Sequence, residues 1–142
     1  MIIKQAENKE EINGALEVRK QVFVDEQGID IDIERDSHDF SDAVHVIAVV
    51  SGEVVGTGRF IPTDIGAKIQ RMAVLKKSRN YGFGGKILEK LLEIIKEQNF
   101  ERVYFSAQKT SENFYEKHGF QSYGKEFEEV GLPHIMMEKM LK

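Results

Sequence analysis

The chain has no cysteine among its 142 residues, which removes disulfides, thiolate zinc sites and any acyl-cysteine intermediate together. An acyl group transferred by such a chain would go to an acceptor that attacks the donor directly. No apolar run approaches the length of a membrane span, and the opening residues, MIIKQAENKEE, lack the basic-then-apolar layout of a signal peptide. A cytoplasmic protein without a membrane partner is expected. Dense basic runs are missing too: 20 Lys and Arg stand against 24 Asp and Glu, for a net charge of -4, so nucleic acid is not expected as the main partner. No segment is repeated or low in complexity. What remains, 41% hydrophobic and 31% charged, is the balance of a soluble globular protein, and the length suits one domain over residues 1–142.

The chain is organised around residues 68–97, KIQRMAVLKKSRNYGFGGKILEKLLEIIKE. Ile87, Leu88, Leu91, Leu92 and Ile95 recur at a 3.6 period and predict an amphipathic helix. Before it, Ile69, Met72, Val74 and Leu75 fit a largely buried strand. The joint is glycine-rich: Arg79-Asn80-Tyr81-Gly82-Phe83-Gly84-Gly85, followed by Lys86. Free backbone N–H groups and the positive end of the helix dipole converge at such a joint, which suits phosphate. A Walker loop is excluded, because Asn80 and Ile87 stand where glycine and Ser or Thr are needed. The dinucleotide fingerprint also fails at Ile87.

In chain order, residues 2–6 read as a strand. Asn8 and Glu11 resemble a capping box for a helix running to about Val24. Arg19 interrupts its apolar stripe and reads as an arginine tethered to a carboxylate. From Asp25 to Asp42 eight acids face one base, Arg35, and Ile29, Ile31 and Ile33 alternate with acids as in an irregular strand. Arg35 and Ser41 break the calcium-loop pattern there, so no metal is expected. A negative rim would attract a cationic amine. Val44 to Val50, the Ser51-Gly52 turn and Glu53 to Ile61 form a hairpin halted by Pro62, and Gly56 and Gly58 suggest a bulge or close backbone approach. Glu101 to Ala107 is another strand. Thr110 or Ser111 caps a short helix ended by Gly119, and strands over about 121–130 and 135–140 close the chain. The order is mixed α/β.

Arg79-x-x-Gly82-x-Gly84 resembles the acyl-CoA pyrophosphate loop of the GNAT acetyltransferases, the acyl-CoA N-acyltransferase superfamily. Phe114-Tyr115-Glu116-Lys117-His118-Gly119-Phe120 resembles that superfamily's second signature. The two stand in the family's order and at its usual separation. Val22-Phe23-Val24-Asp25-Glu26-Gln27, Gly56-Thr57-Gly58-Arg59 and Gly131-Leu132-Pro133-His134-x-x-Met137 look like the small bacterial subgroup represented by ElaA and YjcF.

The resemblance implies the GNAT fold, a mixed, mostly antiparallel sheet of about six or seven strands flanked by helices. It implies an N-acetyltransferase that moves an acetyl group from acetyl-CoA to a primary amine of a small molecule or peptide. Met72, Ala73 and Val74 would meet the pantetheine arm and the acyl carbonyl. The pyrophosphate would lie on Arg79, Asn80, Tyr81, Gly82, Phe83, Gly84, Gly85 and Lys86. Tyr115 would protonate the departing thiolate. Gln108 stands where the family often has an asparagine contacting pantetheine, and Asn113 is a nearby alternative. Glu26 and His134 lead the bases that could deprotonate the amine, ahead of Glu34, Asp36 and His38. Two alternatives stay open: an acyl-homoserine-lactone synthase, whose N-terminal signature is similar to Arg19, Phe23, Glu34, Asp36, Asp39 and Gly58 to Thr63, and a non-catalytic CoA-binding domain. A homodimer is a further expectation by analogy.

Overall fold

The computed structural model describes residues 1–141. Among these, seven strands form one sheet in the order β1-β2-β3-β4-β5-β7-β6: β1 Ile2–Gln5, β2 Val44–Val50, β3 Glu53–Thr63, β4 Gly66–Val74, β5 Arg102–Gln108, β6 Gln121–Glu129 and β7 Leu132–Met140. Neighbours are antiparallel except β4 and β5. Helices α1 (Lys9–Arg19), α2 (Ile31–Glu34), α3 (Phe83–Glu97) and α4 (Glu112–Glu116) flank the sheet. This is the expected mixed, mostly antiparallel architecture.

The packing of α3 explains the glycines of β3. Its buried stripe of Ile87, Leu88, Leu91, Ile94 and Ile95 lies on the sheet. A Cβ on Gly58 would stand 3.0 Å from both Ile87 and Leu91 side chains, and one on Gly56 would stand 2.9 Å from Ile87. Close approach of helix and strand therefore requires both positions to be bare.

Gly58 also faces the main irregularity of the sheet. Thr57 pairs with Ala73 and Arg59 with Gln70, so one residue of β3 opposes two of β4, Arg71 and Met72. Arg71 takes a left-handed φ of 58° at this bulge. The bulge turns the end of β4 away from β5. Those strands pair only at Ala67 with Val103 and Lys68 with Tyr104. Beyond that point β4 stays with β3, and β5 with β7. A wedge opens through the sheet, with the start of α3 beyond the end of β4.

Several local expectations change. Residues 31–34 form a helical turn in place of an irregular strand, because the Asp30 carboxylate accepts from Asp32 N–H and the Asp30 carbonyl from Ile33 and Glu34 N–H. Pro62 does not halt β3: it pairs with Ala67, beyond the point where β2 ends opposite Phe60, so one edge of the strand is already free there. The first helix continues past Arg19 as a π-helical run, Lys20–Glu26. Asn8 caps α1 as expected, but Glu11 answers Glu7 N–H rather than Asn8 N–H. Ser111 precedes α4 without a side-chain cap, while Gly119 has the expected left-handed φ of 89°. β7 starts at Leu132, because Val130 and Gly131, both left-handed, make a tight hairpin that puts Pro133 and His134 inside the strand.

Candidate active site

Two cavities meet the wedge. The larger, about 460 Å³, is lined on β4 by Lys68 to Met72, on β5 by Phe105 to Gln108, and beyond them by Tyr115, Glu129 and His134. Val22, Phe23, Gln27 and Ile33 cover it from the helical segments before β2. The smaller, about 260 Å³, is lined by Val74, Ser78, Arg79, Asn80, Gly82, Phe83, Gly84, Gly85 and Phe114.

The smaller cavity is built from backbone. Asn80 and Gly82 are left-handed, with φ 71° and 80°. Gly82 is the N-cap of α3, supplies no side-chain cap, and is followed by a first turn without acidic residues. The first N–H groups of a helix have no intrahelical acceptor, so here they and the dipole are left to an external anion. A Cβ on Gly82 would meet open space, and one on Gly84 would only touch the Phe114 ring at 3.6 Å. The residues present therefore fit a phosphate group. Tyr81, 72% exposed, and Lys86, also exposed, lie outside the lining.

Arg79 and Glu26 join this loop to the π-helical run. Arg79 Nη1 and Nη2 donate to Glu26 at 2.9 and 2.7 Å, and Nε donates to the Val74 carbonyl at 2.9 Å. The hydrogen bond from Arg79 holds the Glu26 carboxyl below its ordinary pKa. Glu26 thus stands beside the loop, outside the lining of the larger cavity. Leu75 N–H bonds Val55 on β3, so the Val74 carbonyl points the opposite way, into the wedge. A strand residue turns its N–H and C=O to the same edge. The N–H of Val74 therefore faces the wedge, and that of Ala73, paired with Thr57, faces β3.

Tyr115 lies against Phe105, Phe114 and Phe120, with ring centroids 4.5, 5.0 and 6.2 Å away. Burial pushes its phenol up to about 12, so it holds its proton at neutral pH. Gln108 lines the larger cavity and donates to Gln27 at 3.4 Å, while Asn113 is exposed and lines neither cavity.

His134 is buried in the lining. Its Nδ1 lies 2.8 Å from the Leu132 carbonyl, which makes that nitrogen the donor and turns Nε2 toward Glu129 Oε2, 3.3 Å away. Ser106 Oγ donates to the same carboxylate oxygen at 2.9 Å. Nothing in the sequence pattern distinguishes Glu129 from the other acids of β6. The signal that would find it is the Val130-Gly131 turn, which folds the end of β6 back over His134.

Of the eight acids expected to form a negative rim, Glu34 and Asp39 turn inward and the other six stay exposed, Asp36 reaching in to an arginine. Arg19 Nε meets Glu34 at 2.8 Å and Nη1 meets Asp39 at 2.6 Å, all nearly fully buried. Arg59 Nη1 meets Asp39 at 2.6 Å and Asp36 at 2.8 Å. The bond from Arg59 lowers the Asp36 carboxyl to about 2 against the opposing effect of burial. Arg71, at the bulge, lies 3.3 Å from Glu34.

The fold as a whole has counterparts among known proteins. Residues 3–141 match the family described as an acetyltransferase (GNAT) domain. The chain belongs to the GNAT acetyltransferase family. The uncharacterized N-acetyltransferase YjcF of Bacillus subtilis (strain 168) is 33% identical over 135 residues, 94% of this chain and 96% of its own. The crystal structure of Escherichia coli ElaA matches at a TM-score of 0.84 and 28% identity, over 97% of this chain and 99% of that one. An acyl-CoA N-acyltransferase from Pseudomonas aeruginosa, at 24% identity, shares the fold with a TM-score of 0.86 over 97% and 98% of the two chains. Fold and family make this GNAT protein an acyltransferase. The family uses acetyl-CoA.

Proposed function

We propose that this protein transfers an acetyl group from acetyl-CoA to a primary amine by direct attack in a ternary complex. The observation that carries the reading is the wedge between β4 and β5, with an anion-fitting loop beyond one end and a polar cavity at its centre. The pyrophosphate would lie on the N–H groups of Arg79 to Gly85, the thioester along Met72 to Val74, and the amine in the larger cavity. Val74 N–H, which faces the wedge, would polarise the thioester carbonyl.

The His134 and Glu129 pair would take a proton from the ammonium, since a proton gained at Nε2 lies 3.3 Å from a carboxylate oxygen. The neutral nitrogen forms the new bond to the carbonyl carbon, the carbon–sulfur bond breaks, and sulfur leaves with the electron pair. Tyr115 gives that thiolate a proton and recovers one from the amide nitrogen, so one proton in all is released. Its raised pKa does not disqualify it as a donor, because the apolar walls that disfavour a phenolate also disfavour a thiolate.

Calorimetric titration with acetyl-CoA tests the reading. Micromolar binding is expected, and Gly84→Glu, which puts a carboxylate at the helix start where the backbone has room for it, should abolish it. Tyr115→Phe should keep binding and lower kcat about 100-fold. No binding by the folded wild type would sink the proposal.

A further inference from the structure

The larger cavity carries charge that the protein does not spend on itself. Its charged lining consists of Glu34, Lys68, Arg71 and Glu129, with His134 beside them. Glu34 is met by three guanidinium groups, those of Arg19, Arg35 and Arg71, at 2.8, 3.1 and 3.3 Å. Arg71 is spent on Glu34 and on Asp36, 3.4 Å away. The Lys68 ammonium makes no hydrogen bond or ion pair with any described residue. It is half-buried, on the last pair that β4 makes with β5. An ammonium at a cavity wall with no counter-charge favours an anion beside it.

The opposite charge faces it across the wedge. Lys68 pairs with Tyr104, and Ser106, which holds Glu129, is two residues further along β5. That is about 7 Å of strand, within the reach of one small molecule. The Glu129 carboxylate has only Ser106 and His134 as partners among the described residues, and no cation of fixed charge.

We propose that the acceptor is a small amine that also carries a carboxylate, held by Lys68 at that group while its amine is presented to Glu129 and His134. The inference rests on the acetyl-transfer reading. A polyamine would set a second ammonium against Lys68. A dianionic phosphate would have one of its two charges unmatched at Lys68, since the arginines here are already engaged by Glu34, Asp36 and Asp39.

The test uses the whole protein with saturating acetyl-CoA and follows thiol release. Each standard amino acid is assayed beside its methyl ester and its decarboxylated amine, in the wild type, Lys68→Met and Lys68→Arg. Comparing proteins on one acceptor cancels differences in amine basicity. At least one amino acid should exceed both its counterparts tenfold in kcat/KM. That ratio should fall below threefold in Lys68→Met and largely survive in Lys68→Arg. A preference for the esters or amines, a ratio unchanged in Lys68→Met, or no amino acid acetylated by protein that binds acetyl-CoA would overturn the inference. Absence of acetyl-CoA binding in the titration would instead overturn the transfer reading.

Discussion

The two faces of β3 are filled by opposite chemistry. On one face Gly56 and Gly58 give way to Ile87 and Leu91 of α3, and the contact is entirely apolar. On the other, Arg59 and Arg19 sit fully buried among Glu34, Asp36 and Asp39. Apolar packing loses stability in proportion to the volume misplaced, and neighbours relax to reduce the loss. A buried ion network behaves otherwise. Removing one member leaves its partners charged and dry, a cost that relaxation scarcely reduces. The apolar face therefore holds the glycine-rich loop at the start of α3 against the sheet, and the charged face holds the segment covering the larger cavity, with different tolerance for change.

The sharpest way to break this contrast is Arg19→Met, which keeps the volume but removes the fully buried guanidinium between Glu34 and Asp39, leaving Glu34 to the partly exposed Arg35 and Arg71 and Asp39 to Arg59 alone. A loss of about 3–5 kcal/mol is expected in urea unfolding. On the apolar face, Gly58→Val should cost less, about 1–3 kcal/mol, because the Met72 thioether it meets first can move while Ile87 and Leu91 yield by a few tenths of an ångström. If the glycine variant proves the less stable of the two, burial of charge is not what makes the other face fragile.

The same contrast explains what could be read in advance. The α3 stripe, the glycine joint and the two GNAT signatures are local patterns, each set by spacing within a few residues, and the mixed, mostly antiparallel sheet is what the signatures imply. The charged face is not local. Arg19 meets acids 15 and 20 residues away and Arg59 meets Asp36 across 23, and no periodicity marks which of eight acids turn inward. Residues 31–34 read as a strand from the alternation of isoleucine and acid, which outweighs the Asp30 cap that closes the turn and shows nothing of Arg19 meeting Glu34. Glu129 was hidden in the same way, since it gains its neighbours only when the hairpin closes. Lys68 lay within the organising stretch, but its lack of a partner is a property of the folded protein.

A smaller effect sharpens the comparison through pH. Asp36 has an ordinary pKa of 3.8 and is lowered to about 2 in the fold, chiefly by its bond to Arg59. Its contribution is therefore complete above about pH 4, where the unfolded chain is also ionised. It is lost as pH falls from about 4 to 2, where the unfolded carboxyl has gained its proton and the folded one has not. The shift corresponds to roughly 2 kcal/mol at most, with solvent access to the carboxylate reducing it. Asp36→Asn should flatten that part of the acid limb in urea unfolding between pH 5 and 2. An unchanged limb would place the acid sensitivity in other carboxylates.

The smallest expected effect isolates burial from geometry. Lys77 Nζ lies 2.8 Å from Glu53, the same separation as Arg19 Nε from Glu34. The first pair has side chains 62% and 54% exposed and the second 1% and 1%. Coulomb attraction at one distance varies with the surrounding dielectric, and water also re-solvates whichever partner is left behind. Lys77→Ala should therefore cost under about 1 kcal/mol, and less in 1 M salt, where the screening length is about 3 Å. If Lys77→Ala instead approached the loss in Arg19→Met, ion-pair distance would outweigh solvent in this fold. The buried network would then count as many good contacts rather than as charge that cannot be left alone.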